Sequence, residues 1–268
     1  MEKKYNYRIY ASVLNSFQRL LDSEIDAEDF SNVDSESGDY RRSPDEIFAE
    51  REQDLLDLIN RVPREPIEAA DRGTAFNEIV DLHNSHLVTP REDVVVQRLV
   101  DNFNVYGYRA EINGFTFDYD KEICYHAFDY FNEAIPQYLC EGELSTRYGL
   151  VQLYGYADYI FQNKVVDLKT CGRYDFGKYQ HNWQKELYPY CLVQSGDMQE
   201  CNMFEFYVVQ MKNPTKAKPV ITGNIYREEY NYNHEEAKVR LRQITERFIN
   251  WLEAHRSLIT NEKIFGGN

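Results

Sequence analysis

Apolar residues recur at helical spacing over residues 11–22, where Val13, Leu14, Phe17, Leu20 and Leu21 make one stripe. Ser43-Pro44-Asp45-Glu46 then reads as a capping box with proline at the first helical position, and it predicts a helix to about Arg61. A further helix is expected from about Gly73 to His86, and another over 121–134, ended by Pro136. Asn113-Gly114 between EI and FTF signals a tight hairpin. From about Leu150 the pattern turns to strands, GLVQLYGYADYIF and KVVDLKT. A long helix over roughly 176–195 follows, then strand 204–211 and the strand VITGNIY. The closing helix, about 234–258, carries Val239, Leu241, Ile244, Phe248, Ile249 and Leu252 as its inner stripe. Interleaved strands and helices, with tight hairpins among the strands, predict an α/β fold with a mixed central β-sheet flanked by helices. No linker or repeat divides residues 1–268, so one domain is expected.

Composition narrows the function. Hydrophobic residues make up 43% and charged residues 28%, as in ordinary globular chains. No run of about eighteen apolar residues exists, and MEKKYNYRIY lacks a secretory signal, so no membrane association and a cytoplasmic location are expected. Cysteines 124, 140, 171, 191 and 201 form no C-x-x-C pair, which fits reduced thiols. The absence of H-E-x-x-H withdraws support from a zinc peptidase. A net charge of −15 is unusual for a nucleic-acid binder, but residues 22–57 alone hold fourteen acids against three bases. That segment reads as an exposed acidic stretch able to meet a protein partner.

The chemistry concentrates in YGYADYIFQNKVVDLKT, residues 154–170. A two-residue turn at Gln162-Asn163 would set Phe161 against Lys164 and Asp158 against Asp167. Opposed side chains in such a ladder have Cβ atoms about 5 Å apart. Two bare carboxylates at that distance repel, and a divalent cation with a preference for hard oxygen ligands, Mg²⁺ or Mn²⁺, converts the repulsion into coordination. Lys169, two residues on, points to the same face as Asp167, while Leu168 points into a core. An exposed hairpin with a fortuitous Asp–Lys contact is the plain alternative.

Gly155-x-x-Asp158 followed by Val165-Val166-Asp167-x-Lys169-Thr170 resembles the RecB-like branch of the PD-(D/E)xK nucleases. Gln184 and Tyr188 match that branch's Q-x-x-x-Y helix, and Gly73 begins a stretch similar to its upstream G-x-x-x-H helix, with Asn77 in the histidine's place. The resemblance spans about residues 73–190 and implies a restriction-endonuclease-like core and a Mg²⁺- or Mn²⁺-dependent deoxyribonuclease. By that resemblance Asp158, Asp167, the Leu168 carbonyl and position 77 hold the cation. Lys169 handles the attacking water and the scissile phosphate, and Gln184 and Tyr188 steady the lysine or the substrate. Lys178 and Lys185 are candidates for phosphate contact. An exonuclease of phage or mobile-element DNA processing is the implied role. Asn77 leaves open a decayed relative that binds nucleic acid or serves as a scaffold. The cysteine spacing lacks the cluster found in iron–sulfur members, so none is expected. On the upstream helix, at about 100° per residue from Phe76, Asn77 and Asp81 fall on the flank of Gly73. Glu78 lies at about 200°, opposite a buried stripe of Phe76, Ile79, Val80 and His83. Asp81 is therefore expected to aid the metal, and Glu78 to face solvent.

Overall fold

The computed structural model describes residues 5–23, 42–84 and 89–266. Strand β1 (Tyr7–Tyr10) runs directly into helix α1 (Ala11–Leu21). Helix α2 (Pro44–Asn60) begins with the expected capping box, in which Ser43 Oγ accepts from Glu46 N and the Glu46 carboxylate accepts from Ser43 N. It stops at Arg61, whose backbone is left-handed (φ 55°). Helix α3 (Glu68–Asn84) starts a turn before Gly73. Residues 24–41 of the acidic segment at 22–57 and the expected extension of α3 to residue 86 lie outside the described residues.

Strands β2 (Val94–Asp101), β3 (Asn104–Ile112) and β4 (Phe115–Asp120) form a separate antiparallel three-stranded sheet. The Asn113-Gly114 turn has φ values of 50° and 82°, as a primed hairpin turn demands. Helix α4 (Lys121–Phe131) follows, then β5 (Ile135–Thr146), β6 (Gly149–Ile160) and β7 (Lys164–Cys171). Helix α5 (Gln184–Ser195), β8 (Met203–Lys212), β9 (Thr222–Asn231) and α6 (His234–Ala254) follow, and two short 3-10 turns, Arg256–Leu258 and Glu262–Phe265, come after them. The second sheet has six strands and mixed direction, in the order β1-β6-β7-β8-β9, with β5 also paired to β6. Helices flank it, as the interleaved pattern predicts.

Two apolar clusters clamp the sheet. One gathers α1, α2, α5 and α6 through residues such as Phe17, Leu55, Leu187 and Phe248. The other joins α3, α4 and the small sheet through Phe76, Phe128, Tyr119 and Ile112. Alternation along β7 sends Val165 to the first cluster and Val166 and Leu168 to the second.

Several expected boundaries shift for identifiable reasons. Pro136 does not stop a helix: α4 ends at Phe131, and Pro136 lies in β5, an edge strand where a missing N–H is tolerated. The helix expected from 176 begins only at Gln184, because residues before it are drawn aside into turns. Val239 is exposed rather than part of the inner stripe of α6, where Ala237 and Thr245 are buried instead. His83 also faces outward, its ring stacked on Phe128 at 3.6 Å.

Candidate active site

Strand β6 positions the site through an interruption along one edge. Its other edge is paired with β5 from Gly149 to Ile160 except at Asp158, so β1 and β7 must share the remaining one. There β1 pairs with Val151–Tyr154 and β7 only with Tyr159 and Ile160. Residues 155–158, including the two named positions of the G-x-x-D motif, fall in the gap. The turn register is the expected one, since Ile160 pairs with Val165, Tyr159 with Val166, and Phe161 N donates to the Lys164 carbonyl. Beyond Tyr159 the strands part, and Asp158 Oδ2 instead accepts a hydrogen bond from Leu168 N at 2.8 Å. An extended residue aims its N–H and C=O to the same side. The Leu168 carbonyl thus faces the parted edge.

Asp167 is 1% exposed, and Asp158 beside it is half-buried. Burial, reinforced by the charge of Asp167, pushes the Asp158 carboxyl well above the usual carboxylate range, with Lys169 pulling the other way. Lys169 Nζ stands 2.6 Å from Asp167 Oδ2 as an ion pair. Oδ2 has that ion pair as its partner, while Asp167 Oδ1 is buried with none among the described residues.

Helix α3 supplies the facing wall. Thr74, Asn77, Glu78 and Asp81 line a cleft of about 720 Å³ together with Gln137, Tyr156 and Asp158. Asn77 and Asp81 thus share a cleft with Asp158, as expected from the helical wheel, but Asp167, which was expected to face them too, does not line it. Asn77 Oδ1 is buried, with no hydrogen-bond partner among the described residues. Asp81 accepts from Tyr159 Oη at 2.5 Å and from Gln137 Nε2 at 3.0 Å. Burial raises its carboxyl to about 6 despite those two bonds. Glu78 departs from expectation: it is 3% exposed and accepts from Arg91 N at 2.9 Å. The wheel assumed that the flank opposite the apolar stripe meets water, but the chain returns over that flank at Thr89–Arg91. Glu78 therefore joins the acids of the cleft.

Helix α5 completes the other side. Gln184 Oε1 accepts from Lys169 Nζ at 2.7 Å, and Gln184 Nε2 donates to Tyr188 Oη at 3.2 Å. Tyr188 is buried, with its hydroxyl pushed above the usual tyrosine range chiefly by burial. These contacts explain the motif glycines. A Cβ on Gly155 would lie 2.8 Å from Tyr188 Cε1, so the close approach of α5 to β6 requires glycine there. A Cβ on Gly73 would lie 2.5 Å from Thr170 Oγ1. Gly73→Ala is expected to cost about 1–3 kcal/mol through this clash. In a Thr170→Ala background the nearest atom is gone, and the same change should become neutral or gain up to about 1 kcal/mol of helix propensity. Urea unfolding of the four proteins tests the coupling; identical costs in both backgrounds would refute it.

The segment between Cys171 and Gln184 is pinned from below. Glu228, 1% exposed, accepts from Tyr174 Oη at 2.5 Å, Gly177 N at 2.6 Å and Tyr230 Oη at 2.8 Å. The Tyr179 ring rests on Phe206, which also lies 5.9 Å beneath Lys169 Nζ. Lys178 donates to the Arg173 carbonyl and Lys185 to that of Gln180, so both amines serve this segment.

Gln137, Glu78 and Tyr159 escaped the sequence reading. Gln137 has a left-handed backbone (φ 49°) where the β5–β6 pairing skips from Pro136↔Tyr159 to Tyr138↔Ala157. That irregularity turns it toward Asp81, and no local pattern announces it. Among the described residues, no three His, Cys, Asp or Glu side chains form a ready-made metal cage. Asn77 Oδ1 and Asp81 share the cleft with Asp158, and Asp158 in turn adjoins Asp167 and Leu168; these are hard oxygen donors of the kind that suits a Mg²⁺-like ion. The five cysteines are free, and four of them are buried. Among the described residues no helix is long and apolar enough to cross a membrane.

No family model and no curated protein matches the chain. A solved structure described as "Crystal structure of SSO0001" is similar over 49% of this chain and 56% of that one, at 17% identity and a TM-score of 0.33. A likeness that slight bears on neither fold nor chemistry.

Proposed function

We propose that the chain is a metal-dependent nuclease that hydrolyses phosphodiester bonds of DNA. The observation that carries this reading is the gap in the sheet edge beside β6, where Asp158 stands between Asp167 with its Gln184-aligned Lys169 and the α3 acid Asp81. Asp158, Asp167, the Leu168 carbonyl, Asn77 and Asp81 would hold Mg²⁺ or Mn²⁺. Such an ion supplies a water of lowered pKa and offsets charge that grows on the phosphate.

The chain's own groups do the rest. Lys169 donates to a phosphate oxygen and orients the attacking water, whose oxygen bonds to phosphorus as the ester oxygen leaves. Gln184 fixes the direction of the ammonium, and Tyr188 fixes Gln184. Glu78 and Gln137 act one step out: Gln137 orients Asp81 directly, and Glu78 holds the Arg91 backbone over the cleft. The exonuclease assignment and a role in phage or mobile-element DNA processing rest on the motif resemblance.

Incubation of linear and circular DNA with Mg²⁺, Mn²⁺ or EDTA tests the proposal. Cleavage that needs the metal, with loss of linear before circular DNA, is expected. Bound but uncleaved DNA under every divalent metal would transfer support to the decayed, DNA-binding reading that Asn77 raises.

A further inference from the structure

An exposed aromatic ring lines the cleft. Tyr156 is 58% exposed and lines the cleft with Asp158 and Asp81. It lies two residues before Asp158, within the unpaired stretch of the β6 edge. Among the described residues its ring meets no other aromatic ring, and its hydroxyl has no hydrogen-bond partner. Its cross-strand neighbour on β5, Leu139, is also 41% exposed and extends the apolar surface.

The surroundings restrict what can lie on that surface. Glu78, Asp81 and Asp158 outnumber Arg91 on the cleft wall, and Asp93 already pairs with that guanidinium, so the wall disfavours a phosphate except where a cation intervenes. The phosphate therefore belongs beside Asp167 and Lys169, and the part of a nucleotide that turns toward Tyr156 is the uncharged base. A base inside a duplex already has both faces stacked, and only an unpaired one has a face to offer. Aromatic side chains hold such bases without regard to sequence, because every base presents a π-face. The cleft volume, about 720 Å³, is that of sites accommodating small-molecule-sized groups.

We propose that Tyr156 is a substrate-binding residue on which an unpaired base, adjacent to the phosphate at Asp167 and Lys169, stacks. This rests on the nuclease reading for the position of the phosphate, but the stacking contact is measurable without cleavage. Single-stranded oligonucleotides, each lacking one base at a different position, are titrated by fluorescence anisotropy in Mn²⁺. The proteins are Lys169→Ala, to slow hydrolysis, and Lys169→Ala carrying Tyr156→Ala or Tyr156→Phe.

With Tyr156 present, loss of the base at one position is expected to weaken binding about tenfold. With Tyr156→Ala the same base loss should cost less than about twofold, and Tyr156→Phe should behave like tyrosine, since the ring and not the hydroxyl acts. Equal effects of every abasic position in all three proteins would overturn the proposal. If the parent protein cleaves DNA and this coupling is missing, stacking alone fails. If the coupling appears and the parent cleaves nothing under any metal, the nuclease reading fails and stacking stands. A parent that neither binds nor cleaves refutes both. Tyr156 is exposed, so matching thermal melts of the variants are expected and check folding.

Discussion

Asp167→Ala is expected to abolish Mn²⁺ binding and cleavage together, whereas Lys169→Ala should keep the metal and lose the rate. Asp167 brings a buried carboxylate to the site, with Oδ1 unpartnered and Oδ2 held by Lys169 alone, so its removal deletes the side-chain oxygen donors of β7 there. The fall in affinity should exceed the 10–100-fold typical of losing a residue that only supports a ligand. Lys169 brings a positive charge 2.6 Å from Asp167 Oδ2, and that charge competes with a cation. Without it, Mn²⁺ affinity should hold or rise slightly while turnover drops about 10²–10⁴-fold, the usual range for a positioned proton-handling group. Gln184→Ala should fall between, because the lysine remains but loses its 2.7 Å guide. Calorimetric titration with Mn²⁺ beside single-turnover rates separates these outcomes. Equal loss of metal affinity in the Asp167 and Lys169 variants would overturn the division of roles.

The second large effect is on stability, and it reverses with metal. The Asp81 carboxyl sits at about 6 in the folded protein against an ordinary value of 3.8, mainly through burial. A raised carboxyl favours the folded state while protonated. That contribution is complete below about pH 4, fades as pH rises through 6, and is absent at pH 8. The difference corresponds to about 3 kcal/mol. Asp158 shifts in the same direction, through burial and Asp167. Glu205 works in the opposite sense: Arg227, Tyr130 and Lys164 hold it below its ordinary range against its burial.

A difference between variants isolates the site from such groups. In EDTA, Asp81→Asn and Asp158→Asn should each gain stability over wild type between pH 4.5 and pH 8. Mn²⁺ at pH 8 should restore wild type and stabilise the variants less. Thermal melts across pH with and without Mn²⁺ provide the measurement. A wild-type protein whose deficit against Asp81→Asn stays constant from pH 4.5 to 8 would refute the linkage.

Local rules account for what was legible in the chain. The capping box at Ser43, the Asn113-Gly114 hairpin and the Gln162-Asn163 register all depend on residues a few positions apart, and each stands where short-range chemistry puts it. The meeting of Lys169 with Gln184 was legible only through the motif resemblance, because nothing in a strand and a helix fifteen residues apart sets their distance. Periodicity placed Asp81 in the cleft because it reports which flank of a helix leaves the core. It failed for Glu78, since a helical wheel knows one core and cannot see the chain passing Thr89 and Arg91 over the far side.

Tertiary structure alone decided the parting of β6 and β7 after Tyr159, where β1 claims the same edge and Asp158 is left to take the Leu168 N–H. It alone decided the left-handed Gln137 and the pinning of residues 174–177 by Glu228. Gly73 and Gly155 show the division most clearly. The sequence marks two positions without a side chain, but only the packed structure supplies Thr170 and Tyr188, the neighbours that forbid one. Sequence fixes what each segment can become by itself; the competition of segments for one sheet edge and one helix flank determines where their side chains converge.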